Sequence, residues 1–271
     1  MKVVLFCGGL GLRLRDYSQQ IPKPMVRIGD QPLLWHVMKY YAHYGHKDFI
    51  LCLGHRGDAI KEFFLHYNEA ISNDFVMRNG GTELELHNRD IHDWKISFVD
   101  TGFGSSIGER LYRIRDLLKG EETFLANYSD GLTDLPLDTY LDFARSQDKI
   151  ACFLSVRPTA SFHVVHWDSQ HLVTDVTPVQ AAAHINCGYF VLKQDIFDYM
   201  RRGEDLVAEP FHRLIQAKQL ATFDYPGFWV CADTFKDKMQ LDNMVDNGET
   251  PWMVWKNGRG PRVAREQGLI P

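Results

Sequence analysis

The sequence lacks a surplus of basic residues. It has 30 lysines and arginines against 35 aspartates and glutamates, for a net charge of -5. A protein dedicated to nucleic acid usually carries a basic excess, so this balance argues against a nucleic-acid partner. A small anionic ligand needs only local positive charge and is compatible with the composition.

Long apolar runs are also missing. No stretch approaches the ~18 apolar residues of a membrane-spanning helix, and the first residues do not follow the basic-then-apolar plan of a secretory signal. The 271 residues are 45% hydrophobic, 13% aromatic and 24% charged, which is the composition of a globular domain. These features predict a cytoplasmic protein without membrane contact.

Paired cysteines are the third absence. The five cysteines are widely spaced and odd in number, and no CxxC pair exists, so neither a zinc site nor a disulfide framework is favoured. Most of them lie in apolar, strand-like stretches. We therefore expect reduced thiols in the core, at Cys7, Cys52, Cys152, Cys187 and Cys231.

Strand and helix patterns alternate in the first part of the chain. Residues 2–7 (KVVLFC) and 48–53 (DFILCL) are short apolar runs typical of strands buried on both faces. Residues 30–45 and 58–67 have the periodicity of helices, and the first of them also has a polar cap and a terminal glycine. This order predicts an α/β fold with parallel βαβ units.

The remainder mixes other patterns. Residues 82–87 (TELELH) and 95–99 (KISFV) alternate polar and apolar positions, which predicts antiparallel strands with one wet face. Residues 162–176 read as a β-hairpin. Residues 257–271, rich in glycine, proline and arginine, are expected to form a loose tail after a single domain over residues 1–256.

A glycine-rich turn follows the first strand, with Gly8, Gly9, Gly11, Leu12 and Arg13 in sequence. The N–H groups of such a turn can hold phosphates, and the arginine adds a fixed charge. The dinucleotide fingerprint G-x-G-x-x-G lacks its third glycine here, and no GK[ST] step of a P-loop follows. The turn alone is weak evidence, and an NAD-dependent dehydrogenase is disfavoured.

A second short motif, PKPM at residues 22–25, comes shortly afterwards. Its two prolines hold the backbone on both sides of Lys23 and so reduce the entropy lost when the lysine binds an anion. Taken alone, the pattern favours a solvent-facing lysine in a stiff loop.

Taken together, GGLGLRL, PKPM and the helical segment LLWHVMKYY resemble the sugar-phosphate nucleotidyltransferases, whose motif is G-G-x-G-[ST]-R-L followed by P-K-P-[ML]. KDFILCLG, VDTG, SDG, INCGYFVL, PGFWVCADT and PWMVW continue the resemblance in family order to about residue 256. It is strongest to the members that transfer a cytidylyl group. The resemblance implies a Rossmann-like, mostly parallel mixed sheet flanked by helices with a small antiparallel β-hairpin region, the GT-A-like nucleotidyltransferase fold.

The same resemblance implies an activity and a cofactor. The enzyme would transfer CMP from CTP to a phosphorylated small-molecule acceptor with release of pyrophosphate, would use Mg²⁺ and would form a homo-oligomer. The metal ligands would be Asp130 in the D-G turn and Asp233 in the later D-T step. A divalent ion offsets the charge that builds up at the α-phosphate, and Mg²⁺ prefers oxygen ligands. Without the resemblance, an Asx-turn at Asp130 and a helix cap at Asp233 explain the residues equally well.

Catalysis in this scheme needs positioning and charge neutralisation rather than a general base. A phosphate monoester is mostly dianionic near neutrality, since its second pKa is about 6. The resemblance makes Arg13, Lys23 and Asp130 the catalytic candidates. The nucleotide-binding candidates are Gly8, Gly9, Gly11, Leu12, Arg13, Lys23, Thr101, Gly102, Arg110 and Asp130.

The acceptor half departs from the family pattern. The expected Glu-Lys-Pro step reads VTP at residues 176–178, and the expected N-G-G triplet reads NCG at 186–188, where the cysteine would intrude on a ligand. Loss of a phosphate-binding lysine removes a contact worth about 1.5–3 kcal/mol. We therefore expect either glucose 1-phosphate or, given these changes, a different phosphorylated acceptor. The acceptor-binding candidates are Asn186, Tyr189, Thr177 and His163, and replacements for the lysine are sought among His163, His184, Arg157 and Lys193.

A second hypothesis is a catalytically silent relative that binds a nucleotide and regulates a partner. The altered acceptor half supports it. The retained Arg13, Lys23, Asp130 and Asp233 argue for an enzyme.

Overall fold

The computed structural model describes residues 1–9, 21–159 and 162–256. Short runs of residues, many of them apolar, form its strands. The strands are β1 (Lys2–Phe6), β2 (Arg27–Ile28), β3 (Gln31–Pro32), β4 (Asp48–Leu53), β5 (Phe75–Arg78), β6 (Glu83–Leu86), β7 (Lys95–Asp100), β8 (Thr123–Asn127), β9 (Gly131–Thr133), β10 (Ala151–Val156), β11 (His163–Trp167), β12 (Val173–Pro178), β13 (Ile185–Lys193), β14 (Leu220–Asp224) and β15 (Trp229–Cys231).

Helices connect most of these strands. The α-helices are α1 (Leu33–His43), α2 (Gly57–Leu65), α3 (Glu69–Ser72), α4 (Ile107–Arg113), α5 (Leu137–Gln147), α6 (Val179–Ala182), α7 (Glu209–Gln216) and α8 (Phe235–Asp246). The 3₁₀ segments of the described residues lie at Lys23–Met25, Asn79–Gly81, Arg115–Leu118 and Gln194–Tyr199. The predicted tail over residues 257–271 lies outside the described residues. In the described ranges, no helix has both the length and the apolar character that crossing a bilayer requires.

Seven strands make one mixed sheet in the order β14-β10-β13-β8-β1-β4-β7. β1 pairs in parallel with β4 and β8, β4 pairs in parallel with β7, and β10 pairs in parallel with β14. Only β13 runs antiparallel to its neighbours in this sheet, between β8 and β10. The mostly parallel mixed sheet and the β11–β12 hairpin confirm the predicted fold class.

One strand prediction was wrong. The KISFV segment is β7, which pairs in parallel with β4 at the edge of the central sheet rather than in an antiparallel pair. None of the residues of β7 is fully buried, so its side chains can alternate in polarity even though the pairing is parallel. The TELELH segment contains β6, which pairs antiparallel with β5 as predicted.

Both faces of the central sheet are covered. Successive residues of β1 point to opposite faces, so Val3 and Leu5 join one apolar cluster while Val4 and Phe6 join the other. Helix α1 packs in the first cluster, and α4 and α7 contribute to the second. Burial on both faces explains why the strand reads as a continuous apolar run.

The prediction of reduced thiols is confirmed. All five cysteines are free, four of them are buried, and Cys231 is partly exposed. Burial raises the pKa of Cys7 to about 12 and raises that of Cys52 further. These buried thiols are therefore neutral packing groups at physiological pH.

A histidine in α1 gives the fold a testable response to acid. The His36 side chain is 2% exposed and its Nε2 lies 3.0 Å from the Ile28 carbonyl oxygen. Burial lowers the pKa of His36 from 6.5 to about 4. The unfolded chain therefore binds a proton at higher pH than the folded chain, and the free energy of unfolding falls as pH drops from about 6.5 to 4.

We expect this residue to account for roughly 3 kcal/mol of lost stability at pH 4. His36→Gln, which has an amide that can donate to Ile28, should show a shallower pH dependence by about one proton. Urea unfolding at several pH values between 4 and 7 measures the slope. An unchanged slope in the variant would assign the acid sensitivity to other groups.

Candidate active site

Four parallel strands end at the same edge of the sheet, and their following residues build the site. Gly8 follows β1, Gly54 follows β4, Thr101 follows β7, and the Tyr128-Ser129-Asp130 segment follows β8. In open α/β sheets this carboxyl edge is where ligands bind. The predicted site residues Gly11, Leu12 and Arg13 lie outside the described residues.

A buried guanidinium holds three of these strand ends together. Arg110 Nη1 donates hydrogen bonds to the Leu53 carbonyl at 2.9 Å and to Thr101 Oγ1 at 2.7 Å. Its Nη2 donates to the Gly8 carbonyl at 2.9 Å. In the described part of the chain, its hydrogen-bond acceptors are carbonyl oxygens and one hydroxyl.

Two of the predicted nucleotide-binding residues have buried side chains. Arg110 is 2% exposed and Thr101 is fully buried, with its hydroxyl donating to the Leu53 carbonyl at 2.7 Å. These side chains hold the turn and the strand ends and do not themselves reach a ligand in this conformation. Sequence reasoning assigns base recognition near these two residues to backbone groups, and that assignment stays a prediction.

The Arg110 guanidinium explains why positions 8 and 54 are glycines. A Cβ atom at Gly8 would lie 2.1 Å from Arg110 Cζ, and one at Gly54 would lie 2.8 Å from Arg110 Nη1. At Gly9, no atom of residues 1–9, 21–159 or 162–256 comes within 4 Å of such a Cβ, and the residue is exposed. Gly8 is therefore required for close packing under the turn, whereas Gly9 is open to an incoming group.

The loop after β7 completes this side of the site. Gly102 has φ +89°, a conformation that favours glycine, and its N–H donates to Asp100 Oδ1 at 2.9 Å. The loop borders an open cleft of about 670 Å³ that is also lined by Phe103, Arg113 and Arg202. Gly102 therefore borders the cleft, and its contact with the nucleotide stays a prediction.

Three charged side chains that are distant in sequence meet in the site. Lys23 contacts Asp130, which is 107 positions away, and Asp233, which is 210 positions away. Lys23 Nζ donates to Asp130 Oδ2 at 2.8 Å and also to Asp233 Oδ1, and it lies 3.6 Å from Cys231 Sγ. Burial lowers the pKa of Lys23, but the Asp130 charge, the Cys231 interaction and the hydrogen bonds raise it more, so the pKa lies above its ordinary value. The ammonium is a permanent cation here.

The β9–β15 pair is what brings the two aspartates together. Cys231 pairs with Gly131, so Asp130 immediately before β9 and Asp233 shortly after β15 lie side by side. The Ala232 N–H also donates to the Asp130 carbonyl at 2.9 Å. Antiparallel pairing fixes this register, so the chain places both carboxylates at one point.

The structure contradicts the two local explanations for these aspartates, an Asx-turn at Asp130 and a helix cap at Asp233. Helix α8 is capped by Thr234, whose side chain accepts from the Asp237 N–H in a capping box. In the turn after β8, Asn127 Oδ1 accepts from the Ser129 N–H at 2.6 Å, and Ser129 adopts φ +65°. Thr234 caps the helix in place of Asp233, and Asn127 makes the Asx-type turn in place of Asp130.

The donor chemistry fits a hard divalent cation. The ligand atoms of Asp130, Cys231 and Asp233 lie within 4.8 Å of one another. Carboxylate oxygens are the ligands that Mg²⁺ prefers. Mg²⁺ takes oxygen rather than sulfur ligands, so the two carboxylates and not the Cys231 thiol are the metal-binding pair. The Lys23 ammonium between them shows that the pair already holds positive charge.

The acceptor-binding candidates differ in burial and in their hydrogen-bond partners. Tyr189 is 1% exposed and its hydroxyl donates to the Gly131 carbonyl at 2.8 Å, so it supports the Asp130–Gly131 turn from the core and is not available to an acceptor. Cys187 is also buried and does not intrude on a ligand. Asn186 is partly exposed, and its Oδ1 accepts from the Gly188 N–H at 2.8 Å.

The remaining acceptor candidates lie elsewhere. Thr177 and His163 belong to the β11–β12 hairpin, a separate two-stranded sheet. His184 Nε2 lies 3.2 Å from Asp224 Oδ1, and Arg157 is exposed beside the Gln180 carbonyl. Lys193 pairs with Asp148 beside the amino end of β8, on the opposite edge of the sheet from Asp130, so it cannot replace a lysine of the site.

Two residues were missed by sequence reasoning. Cys231 contacts the Lys23 ammonium, and Gly54 makes room for Arg110. A glycine directly after the buried strand β4 was a usable signal, because a strand end at the carboxyl edge often needs close backbone approach. Nothing in the sequence around Cys231 distinguished it from a packing residue.

The chain belongs to the nucleotidyl transferase family, because the sequence profile of the family described as Nucleotidyl transferase matches residues 2–241. It is thus a member of a family of enzymes that transfer nucleotidyl groups. The glucose-1-phosphate cytidylyltransferase of Salmonella typhi is 36% identical over 258 residues, covering 94% of this chain and 100% of the relative. The probable glucose-1-phosphate cytidylyltransferase of Bacillus subtilis is 33% identical over 257 residues, covering 94% and 100%.

Solved structures show the same fold at lower sequence identity. An apo UDP-glucose pyrophosphorylase matches with a TM-score of 0.67 at 15% identity, covering 92% of this chain and 100% of that one. A putative glucose-1-phosphate thymidylyltransferase from Bacillus anthracis matches with a TM-score of 0.64 at 15% identity, covering 90% and 94%. The architecture is therefore the GT-A-like nucleotidyltransferase fold.

Proposed function

We propose that the protein transfers CMP from CTP to a phosphorylated small-molecule acceptor, releases pyrophosphate and uses Mg²⁺. The observation that carries the proposal is the meeting of Lys23, Asp130 and Asp233 at the carboxyl edge of the central sheet. The choice of CTP is supported by the relatives, which are named cytidylyltransferases and match over their full length. The site by itself supports a triphosphate without selecting its base.

The reaction is one phosphoryl displacement. An oxygen of the acceptor's phosphate forms a bond to the α-phosphorus of CTP, and the bond from that phosphorus to the α–β bridging oxygen breaks, so that pyrophosphate leaves. The acceptor oxygen already carries charge near neutral pH, so no protein group needs to remove a proton. Rate enhancement then comes from alignment and from charge neutralisation.

Each residue has one task in this proposal. Lys23 and Arg13 bind the triphosphate, and the backbone at Gly8, Gly9, Gly11, Leu12 and Gly102 lines the nucleotide. Arg110 and Thr101 hold the Gly8 turn in shape from below. Asp130 and Asp233 would hold the magnesium ion, which supplies neutralisation of the charge on the phosphate oxygens.

The acceptor is proposed to be glucose 1-phosphate or, because of VTP at residues 176–178, a different phosphorylated compound. Asn186 is our preferred acceptor-binding candidate, since it is partly exposed and lies on β13, the antiparallel strand that also carries Tyr189 under the Asp130 turn. Thr177 and His163 on the hairpin remain candidates for an acceptor that reaches that far.

We also propose a homo-oligomer. Large apolar side chains on and beside the β11–β12 hairpin are exposed, including Phe162 at 74%, Trp167 at 60% and Leu172 at 61%. An isolated two-stranded hairpin is marginal in water, and contiguous exposed apolar surface is typical of interaction sites. Light scattering coupled to size exclusion measures the mass directly.

The test of function is pyrophosphate release. The chain is incubated with each of CTP, UTP, GTP and ATP, with Mg²⁺, and with a panel of sugar 1-phosphates and other phosphate monoesters. We expect release from CTP that requires one class of acceptor and stops when EDTA removes the metal. Reactions without an acceptor control for simple hydrolysis. CTP binding without turnover on any acceptor would contradict the proposal and favour a regulatory nucleotide-binding protein.

A further inference from the structure

The Lys23 ammonium occupies the place that the divalent ion needs. Its Nζ donates to both Asp130 and Asp233, and its side chain is only 13% exposed. The ligand atoms of the two aspartates, with Cys231, lie within 4.8 Å of one another. A divalent ion held by these aspartates would therefore share both carboxylates with Lys23, and two cations at one carboxylate pair repel each other.

The chain lets Lys23 leave without unfolding the turn. Pro22 and Pro24 fix the backbone on either side of the lysine, and Met25 and Val26 close the 3₁₀ turn by hydrogen bonds to Pro22 and Lys23. The four-carbon side chain keeps its rotatable bonds, so Nζ can swing while the backbone stays. Leaving a carboxylate pair is costly unless another anion receives the ammonium.

We propose that Lys23 is the resident counter-ion of the Asp130–Asp233 pair and yields its place when a nucleotide's phosphates accept its charge. The free protein then binds a divalent ion poorly, and the ion enters together with the nucleotide. The competition follows from the contacts alone. That the receiving anion is a nucleoside triphosphate rests on the proposed function.

The size of the effect follows from the population of the state in which Lys23 is displaced. If that state makes up roughly 1–10% of the free protein, the apparent affinity for the ion is lowered about 10–100-fold. Removing the ammonium removes that penalty. Lys23→Met, which keeps most of the side-chain volume without the charge, should therefore bind a divalent ion about 10–100-fold more tightly than the natural chain.

The experiment titrates Mn²⁺ into the full chain without nucleotide and counts free Mn²⁺ by electron paramagnetic resonance. We expect weak binding by the natural chain and tighter binding by Lys23→Met. Lys95→Met is the matched control, because Lys95 is an exposed lysine paired with Asp48 away from the site. Adding Asp130→Asn to Lys23→Met should abolish the gain and so locate it. Equal affinity in the natural chain and Lys23→Met would overturn the proposal.

A measurement on the natural chain covers the case in which Lys23→Met does not fold. Amine acylation followed by mass spectrometry reports the reactivity of Lys23 with and without saturating Mn²⁺. Release from the carboxylates should raise the labelling of Lys23, while Lys95 serves as the internal reference. Unchanged or lower labelling of Lys23 would refute the competition. Neither readout needs turnover, so absence of transferase activity would contradict the proposed function and leave this inference standing.

Discussion

Asp130→Asn and Asp233→Asn are each expected to lower turnover by roughly 10²–10⁴-fold while the chain still folds. Each change removes one negative oxygen from the pair that surrounds Lys23 and keeps the size of the side chain. Neutralisation of charge at the reacting phosphate is worth several kcal/mol in such reactions, so the loss of one metal ligand falls mainly on the chemical step.

Folding should survive because the remaining aspartate still pairs with Lys23, and the β9–β15 pairing that joins the two segments is made by backbone. Asp148→Asn is the matched control, since Asp148 also pairs with a lysine but lies beside the amino edge of the sheet. Pyrophosphate release measures the rate, and thermal unfolding reports the fold. Near-normal activity in both site variants would refute the metal assignment.

The strands near the chain start could be predicted because their signal is local. A strand buried on both faces is mostly apolar, and β1, β4 and β8 are apolar over their central residues. The direction of β7 was wrong because pairing partners lie far apart in sequence, and an edge strand alternates in polarity whether its sheet is parallel or antiparallel. The local sequence pattern therefore predicts that a strand forms, whereas the direction of the strand depends on its partners in the sheet.

In the site, too, local motifs predict some features, and the pairing of distant strands decides others. Lys23, Asp130 and Asp233 were found through motifs that the family resemblance supplied, and their meeting depends on the register of β9 with β15. The interior role of Tyr189 and Arg110 could not be read from spacing, because both types of side chain are common at binding sites and also serve as hydrogen-bond donors in a core. Only the coordinates distinguish a side chain that contacts a ligand from one that holds the contacting backbone.

Gly8→Ala is expected to destabilise the fold strongly, whereas Gly9→Ala is expected to be tolerated. The new methyl at position 8 would lie 2.1 Å from the Arg110 guanidinium, while at position 9 it would meet no atom of the described residues within 4 Å. Arg110 is buried and bonded to carbonyls of two strand ends, so it cannot move aside without leaving those acceptors unpaired. We expect a loss of roughly 2–5 kcal/mol for Gly8→Ala and less than about 1 kcal/mol for Gly9→Ala.

A double-mutant cycle separates this clash from a general intolerance of the turn. Arg110→Met removes the guanidinium that the new methyl would strike, so Gly8→Ala should cost much less in that background, with a coupling of about 1–3 kcal/mol. Urea unfolding measures all four free energies in the absence of nucleotide, so the outcome does not depend on activity. Additive losses would mean that Gly8 is required for its backbone conformation, and that Arg110 does not set the shape of the turn.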